Sequence, residues 1–168
     1  LESMAAVASE TYTSVSAPIQ YAACRAFRGG VDIDAYLHHS RRVLRHLGAW
    51  CADRLADAGV PAVAPDGGFY LFPDFSEAPV VRRLGLSGAA ALAERLLEDT
   101  GVAILPGSSF GRHDGELQAR LAYVDFDGGR ALSASDGISS ERALDEDFLR
   151  TFCPNVTTAI DRMCAWSR

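Results

Sequence analysis

Residues 102–111 read VAILPGSSFG and residues 119–126 read ARLAYVDF. The apolar run 102–105 predicts a short buried strand, which Pro106 and Gly107 should end, because Pro brings no amide hydrogen to a ladder and Gly tolerates unusual backbone angles. A loop follows in which Ser108 and Ser109 offer hydroxyls, bounded by Gly111. The run 119–126 is rich in β-branched and aromatic residues and predicts a second strand with Arg120 near its start. Arg120 there has two readings. It snorkels to water or pairs with a nearby Asp, or it meets an anion, since its planar fork of donors matches a carboxylate and its charge cannot be lost by deprotonation.

Working outward, residues 17–28 predict a helix that Gly29 and Gly30 stop. Asp32 or Asp34 then caps a long helix to about residue 58, with Tyr36, Leu37, Val43, Leu44, Leu47, Trp50, Cys51 and Leu55 at helical spacing and Gly59 past its end. Residues 60–64 are a strand candidate and residues 65–67 a turn. The aromatic run 68–73 reads as a strand covered on both faces. Residues 87–100 predict a helix capped by Ser87, with Ala91, Leu92, Leu96 and Leu97 inward and Gly101 at its end. Residues 127–140, rich in Gly, Ser, Ala and Asp without a period, read as a loop. A last helix over about 144–166 must restart or kink at Pro154. Helices on one small sheet give an α/β or α+β sandwich, the sheet mixed or antiparallel.

The chain has 168 residues, 48% hydrophobic and 23% charged, which suits one compact domain plus an appendage. Its net charge of -6 argues against a nucleic-acid partner. No apolar run approaches the roughly 20 residues of a membrane helix, and no basic-then-hydrophobic leader opens the chain, so a cytoplasmic protein is the default expectation. Cys24, Cys51, Cys153 and Cys164 form no CxxC pair and read as buried thiols. His38, His39 and His46 stand beside Arg41, Arg42 and Arg45 on what reads as a solvated helix face, and no metal site is expected. In GGFYLFPDF, residues 67–75, the glycines permit close backbone approach, while Phe69 and Tyr70 offer apolar walls and one hydroxyl; core packing is the plain reading.

SETYTSVSAPIQYAA at residues 9–23, GGFYLFPDF at 67–75 and GVAILPGSSFG followed by ARLAYVDF occur in the order found in a known family. With these three motifs the chain resembles the C-terminal part of the fold-type I pyridoxal-phosphate-dependent aminotransferases of class I and II. The resemblance implies that Arg120 binds the α-carboxylate of an amino-acid or 2-oxo-acid substrate, and that Gly68, Phe69 and Phe110 line the substrate pocket. It implies residues 1–30 as the last helix of an absent large domain and 31–168 as the small domain, the boundary lying near residues 30 to 45. Ser9 to Gln20 would lie at the domain interface. The family usually works as a homodimer.

One departure qualifies the resemblance. The family holds its cofactor as an imine to a lysine, and all sixteen basic residues here are Arg. A guanidinium is not a primary amine. No catalytic or cofactor-binding residue is therefore expected in this chain, and the chain alone is expected to be inactive. The same Arg would equally serve a lyase or synthase of this fold, or an effector-sensing domain of a transcription regulator.

Overall fold

The computed structural model describes residues 1–12 and 14–168; Thr13, inside the 9–23 motif, lies outside the described residues. They form two compact units, Leu1–His38 and His39–Arg168.

The smaller unit holds helices α1 (Glu2–Thr11) and α2 (Ala17–Phe27) and the opening turns of α3 (Val31–Asp57). Pro18 sits in the first turn of α2, where an amide hydrogen would have no helical acceptor. Gly29 and Gly30, at φ +70° and +127°, end that helix as expected. Arg25 ties the turn together. It donates to the Gly29 carbonyl at 2.9 Å and to both carboxylate oxygens of Asp32 at 2.9 and 2.7 Å. Asp32 lies in the first turn of α3 and does not cap it, because the helix already begins at Val31. No described residue of α1 or α2 is buried, and Met4, Val7, Ile19, Tyr21 and Phe27 are exposed.

The larger unit is built on the second half of α3, where Val43, Leu47, Cys51 and Leu55 recur every four residues and are all buried. Each such side chain contributes about 1.5–3 kcal/mol of burial. Of the other apolar positions expected on this helix, Leu44 and Trp50 are half-buried; Tyr36, which falls in the smaller unit, is exposed. Gly48 lies where the helix meets its neighbours: a Cβ there would stand 2.7 Å from Pro65 Cγ and 2.8 Å from Tyr123 Oη. The helix stops before Gly59 at φ +78°.

The sheet has three antiparallel strands in the order β1 (Tyr70–Leu71), β3 (Ala119–Ala122), β2 (Leu105–Pro106). Tyr70 pairs with Ala122 and Leu71 with Leu121; Leu105 pairs with Arg120 and Pro106 with Ala119. The α/β reading holds, with strands shorter than the sequence suggests. Residues 60–64 form no strand: between Pro61 and Pro65 the chain makes one cross-connection, from the Asp74 amide to the Pro61 carbonyl at 2.9 Å. Residues 102–104 make no ladder, and Pro106 lies inside β2. The bond Pro cannot give is made by its neighbour, the Gly107 amide donating to Gln118 at 2.8 Å. Residues 107–110 are a 3₁₀ turn, ended by Gly111 at φ +82°. β1 is covered on one face only, Leu71 buried and Tyr70 exposed.

Helix α4 (Pro79–Leu84), which the sequence reading did not anticipate, begins with a proline and ends at left-handed Gly85. α5 (Ala89–Thr100) buries Ala89, Leu92 and Leu96 and ends at left-handed Gly101 as expected; Gly88, and not Ser87, precedes it, while Ala91 and Leu97 face outward. Residues expected as a loop form α6 (Gly128–Asp136), because the Asp127 carboxylate accepts from the Arg130 amide at 3.0 Å and Ala131 and Ser135 bury one side. The last helix restarts at the proline, giving α7 (Glu146–Phe152) and α8 (Pro154–Ser167).

Two charged clusters lock these helices. Arg42 is buried and donates to the carbonyls of Ser135, Ile138, Ser139 and Arg142 at 3.0, 2.9, 2.6 and 2.5 Å, closing the C-terminal end of α6. His39 on the preceding turn reaches Ser135 Oγ at 3.0 Å and Asp136 at 3.2 Å. The solvated-face reading therefore fails for His39 and Arg42, which turn inward, while His38, Arg41 and Arg45 are exposed as it expects. Second, Asp161 of α8 accepts from Arg54 of α3 and Arg150 of α7, each at 2.8 Å, with both guanidinium groups near the Trp50 ring. Three of the four thiols are buried as expected. Burial pushes Cys51 up to about 12 and Cys153 to about 11, whereas Cys24 is exposed.

Candidate functional site

Strand β3 alternates: Ala119 and Leu121 are buried against the helices, so Arg120 and Ala122 emerge on the other face. Tyr70 emerges on that face from β1, and Phe110 is delivered beside it by the 3₁₀ turn after β2. The Arg120 guanidinium carbon lies 4.3 Å from the centroid of each ring. Each ring has a further support, Phe69 at 4.5 Å from Tyr70 and Phe72 edge-on to Phe110 at 6.3 Å.

Among the described residues no carboxylate stands within ion-pair distance of Arg120. Of the two readings of this arginine, the structural ion pair is therefore not realised here. Arg120 lines a hollow of about 100 Å³ with Ala103, Ile104, Leu105 and Ala122. A half-buried cation flanked by ring faces, with its donors unspent, can accept an anion in a bidentate bond.

The other residues singled out from the sequence divide. Phe110 stands on Arg120 directly, and Phe69 reaches it through Tyr70. Phe69, Tyr70 and Phe110 are 38%, 42% and 42% exposed, so the plain core-packing reading does not hold for Phe69 and Tyr70, whereas Leu71 and Phe75 of the same motif are buried. Gly68, at φ +71°, lies apart: its carbonyl accepts from the Tyr123 hydroxyl at 3.3 Å, and it borders a different hollow, about 280 Å³, with Arg41, Arg45, Pro65 and Tyr123. Burial raises the Tyr123 hydroxyl above its ordinary value, which keeps it a neutral donor to that carbonyl. Gly107 is required by space: a Cβ would sit 2.8 Å from the Gln118 oxygen.

Sequence reading gave Tyr70 no site role. The available signal was strand parity, since Tyr70 and Leu71 are neighbours and must face opposite ways, and Leu71 is the one buried. Among the described residues no cluster of three His, Cys, Asp or Glu side chains could hold a metal ion.

The family model for class I and II aminotransferases matches residues 1–125. The chain belongs to that family. It is 33% identical over 109 residues to a probable aspartate/prephenate aminotransferase of Aquifex aeolicus, covering 64% of this chain and 26% of that protein. It is 32% identical over 125 residues to an aspartate aminotransferase of Bacillus subtilis, covering 74% and 30%. Among solved structures, a mutant aspartate aminotransferase of Thermus thermophilus superposes with a TM-score of 0.62 at 25% identity, covering 98% of this chain and 35% of that one. The chain spans about a quarter to a third of the length of these relatives.

Proposed function

We propose that this chain forms the carboxylate-binding side of the active site in a pyridoxal-phosphate-dependent aminotransferase, which moves an amino group between an α-amino acid and a 2-oxo acid. The observation that carries this reading is Arg120, held against Tyr70 and Phe110 with no carboxylate of the described chain on its donors. Donor and acceptor substrates both carry an α-carboxylate, so one guanidinium serves both. A bidentate grip fixes the carboxylate plane and with it the direction of the bonds at Cα. Phe69 and Phe110 line the substrate side in this reading, with Gly68 at its margin.

The cofactor does not fit the residues present. Pyridoxal phosphate needs a primary amine to form its imine, and this chain has no lysine. In this reading the amine belongs to a large domain outside this sequence. The greater length of the relatives supports that reading. Residues 1–30, which hold two helices, α1 and α2, where the sequence suggested one, then belong to the end of that domain, and 31–168 are the small domain. A homodimer in the cytoplasm is the assembly that this reading implies, and no described helix is long and apolar enough to cross a membrane.

In an enzyme that joins this chain to its large domain, Arg120→Ala should lower kcat/KM for the amino acid by roughly two to three orders of magnitude, the cost of two charge-assisted hydrogen bonds. Cofactor attachment, read from its absorbance, should be unchanged. A kcat/KM within twofold of wild type would reject Arg120 as the anchor.

A further inference from the structure

We propose that Tyr70 and Phe110 are positioning residues for Arg120: their ring faces hold the guanidinium in place and leave its donor edge as the approach open to a ligand. The proposal rests on Arg120 as the carboxylate anchor and says what makes it one. An arginine on a strand has four rotatable side-chain bonds and a strongly favourable alternative, which is to extend into water. Something must hold it. A carboxylate neighbour would do so by occupying the same N–H groups that a substrate needs. An aromatic face attracts the cation through its quadrupole and accepts none of those hydrogen bonds in the plane of the fork.

The distances fit that role. Both ring centroids lie 4.3 Å from the guanidinium carbon, well inside the range of about 6 Å over which the attraction acts. The rings come from separate elements. Tyr70 is fixed by its register opposite Ala122, and Phe110 by the turn that closes on the Gln118 carbonyl. Phe69 and Phe72 buttress them from behind. Covering the guanidinium faces with carbon also removes competing water from beside the charge, which strengthens a hydrogen bond made at its edge. A lysine could meet the same rings, yet its ammonium has no plane for them to orient.

The test is made on the 168-residue chain with pyruvate as the α-carboxylate probe, following the Nε–Hε resonance of Arg120 by NMR. Wild type should show upfield ring-current shifts of the Arg120 δ-methylene protons and a saturable change on adding pyruvate. Tyr70→Leu and Phe110→Leu should each weaken binding roughly two- to fivefold, the worth of one partly exposed cation–π contact. Both should speed hydrogen exchange at Nε. Tyr70→Phe, which keeps the ring, should behave as wild type. Each ring is 42% exposed, and circular dichroism checks that the variants fold. If pyruvate fails to bind wild type, or binds Arg120→Ala equally well, the anchor reading fails and takes this proposal with it. If Arg120→Ala abolishes binding while both leucine variants bind and exchange as wild type does, the anchor stands and the positioning role is overturned. Absence of the ring-current shifts in wild type overturns it without any variant.

Discussion

Two arginines of this chain are kept from solvent by opposite means. Arg120 is flanked by rings and keeps its donors; Arg42 is 6% exposed and spends them on four carbonyl oxygens. Those carbonyls belong to the end of α6 and the segment after it, where a helix leaves acceptors without partners and the dipole favours a cation. Removing the side chain strands acceptors and opens a void at once. Arg42→Ala should cost about 2–4 kcal/mol of stability in urea unfolding. A cost under about 0.5 kcal/mol would show that water replaces the guanidinium freely. This residue was read as part of a solvated face because its partners lie 93 to 100 positions further along the chain and are backbone atoms, which no residue type announces.

At the scale of elements, Asp161 joins α3, α7 and α8 through Arg54 and Arg150. Burial alone would raise its carboxyl, but the hydrogen bonds from Arg150 and Arg54 outweigh that and hold it below its ordinary value. A carboxyl depressed in the fold contributes stability that is present above its ordinary value of 3.8 and is lost as pH falls through the lower folded value. Acid unfolding of wild type should therefore carry a component below about pH 4 that Asp161→Asn lacks, while at neutral pH the variant should lose about 1 kcal/mol or less, since both partners reach solvent. Identical acid slopes would assign the component elsewhere. Helix ends were legible because single residues set them: Gly29 and Gly30, Gly59, Gly101 and Pro154 each act locally. Strand ends were not, because a strand lasts only as long as its partner, and 102–104 has none. The cap of α6 was readable at Asp127, but the Gly and Ser around it concealed the helix. The site was half legible. Arg120 and Phe110 were named from sequence, whereas Tyr70 needed strand parity and Gly68 turned to another hollow.

At the scale of the molecule, the missing lysine governs what the chain does by itself. Incubated with pyridoxal phosphate and reduced with borohydride, it should carry no pyridoxyl group on any side chain, as peptide mapping would show, with the α-amine of Leu1 the one site open to reaction. A stable adduct on a side chain would refute the division of labour proposed above. The arrangement around Arg120 also sets a rule of counting. Between Pro106 and Gly111 there is no slack: Gly107 is bonded to Gln118 and has no room for a Cβ, and Gly111 turns left-handed. A 3₁₀ turn advances about 120° per residue, so inserting or deleting one residue here would swing Phe110 a third of a revolution away from the arginine. Anyone transplanting the proposed anion grip into another scaffold must move the turn and the strand pair as one cassette, since its length is part of its chemistry.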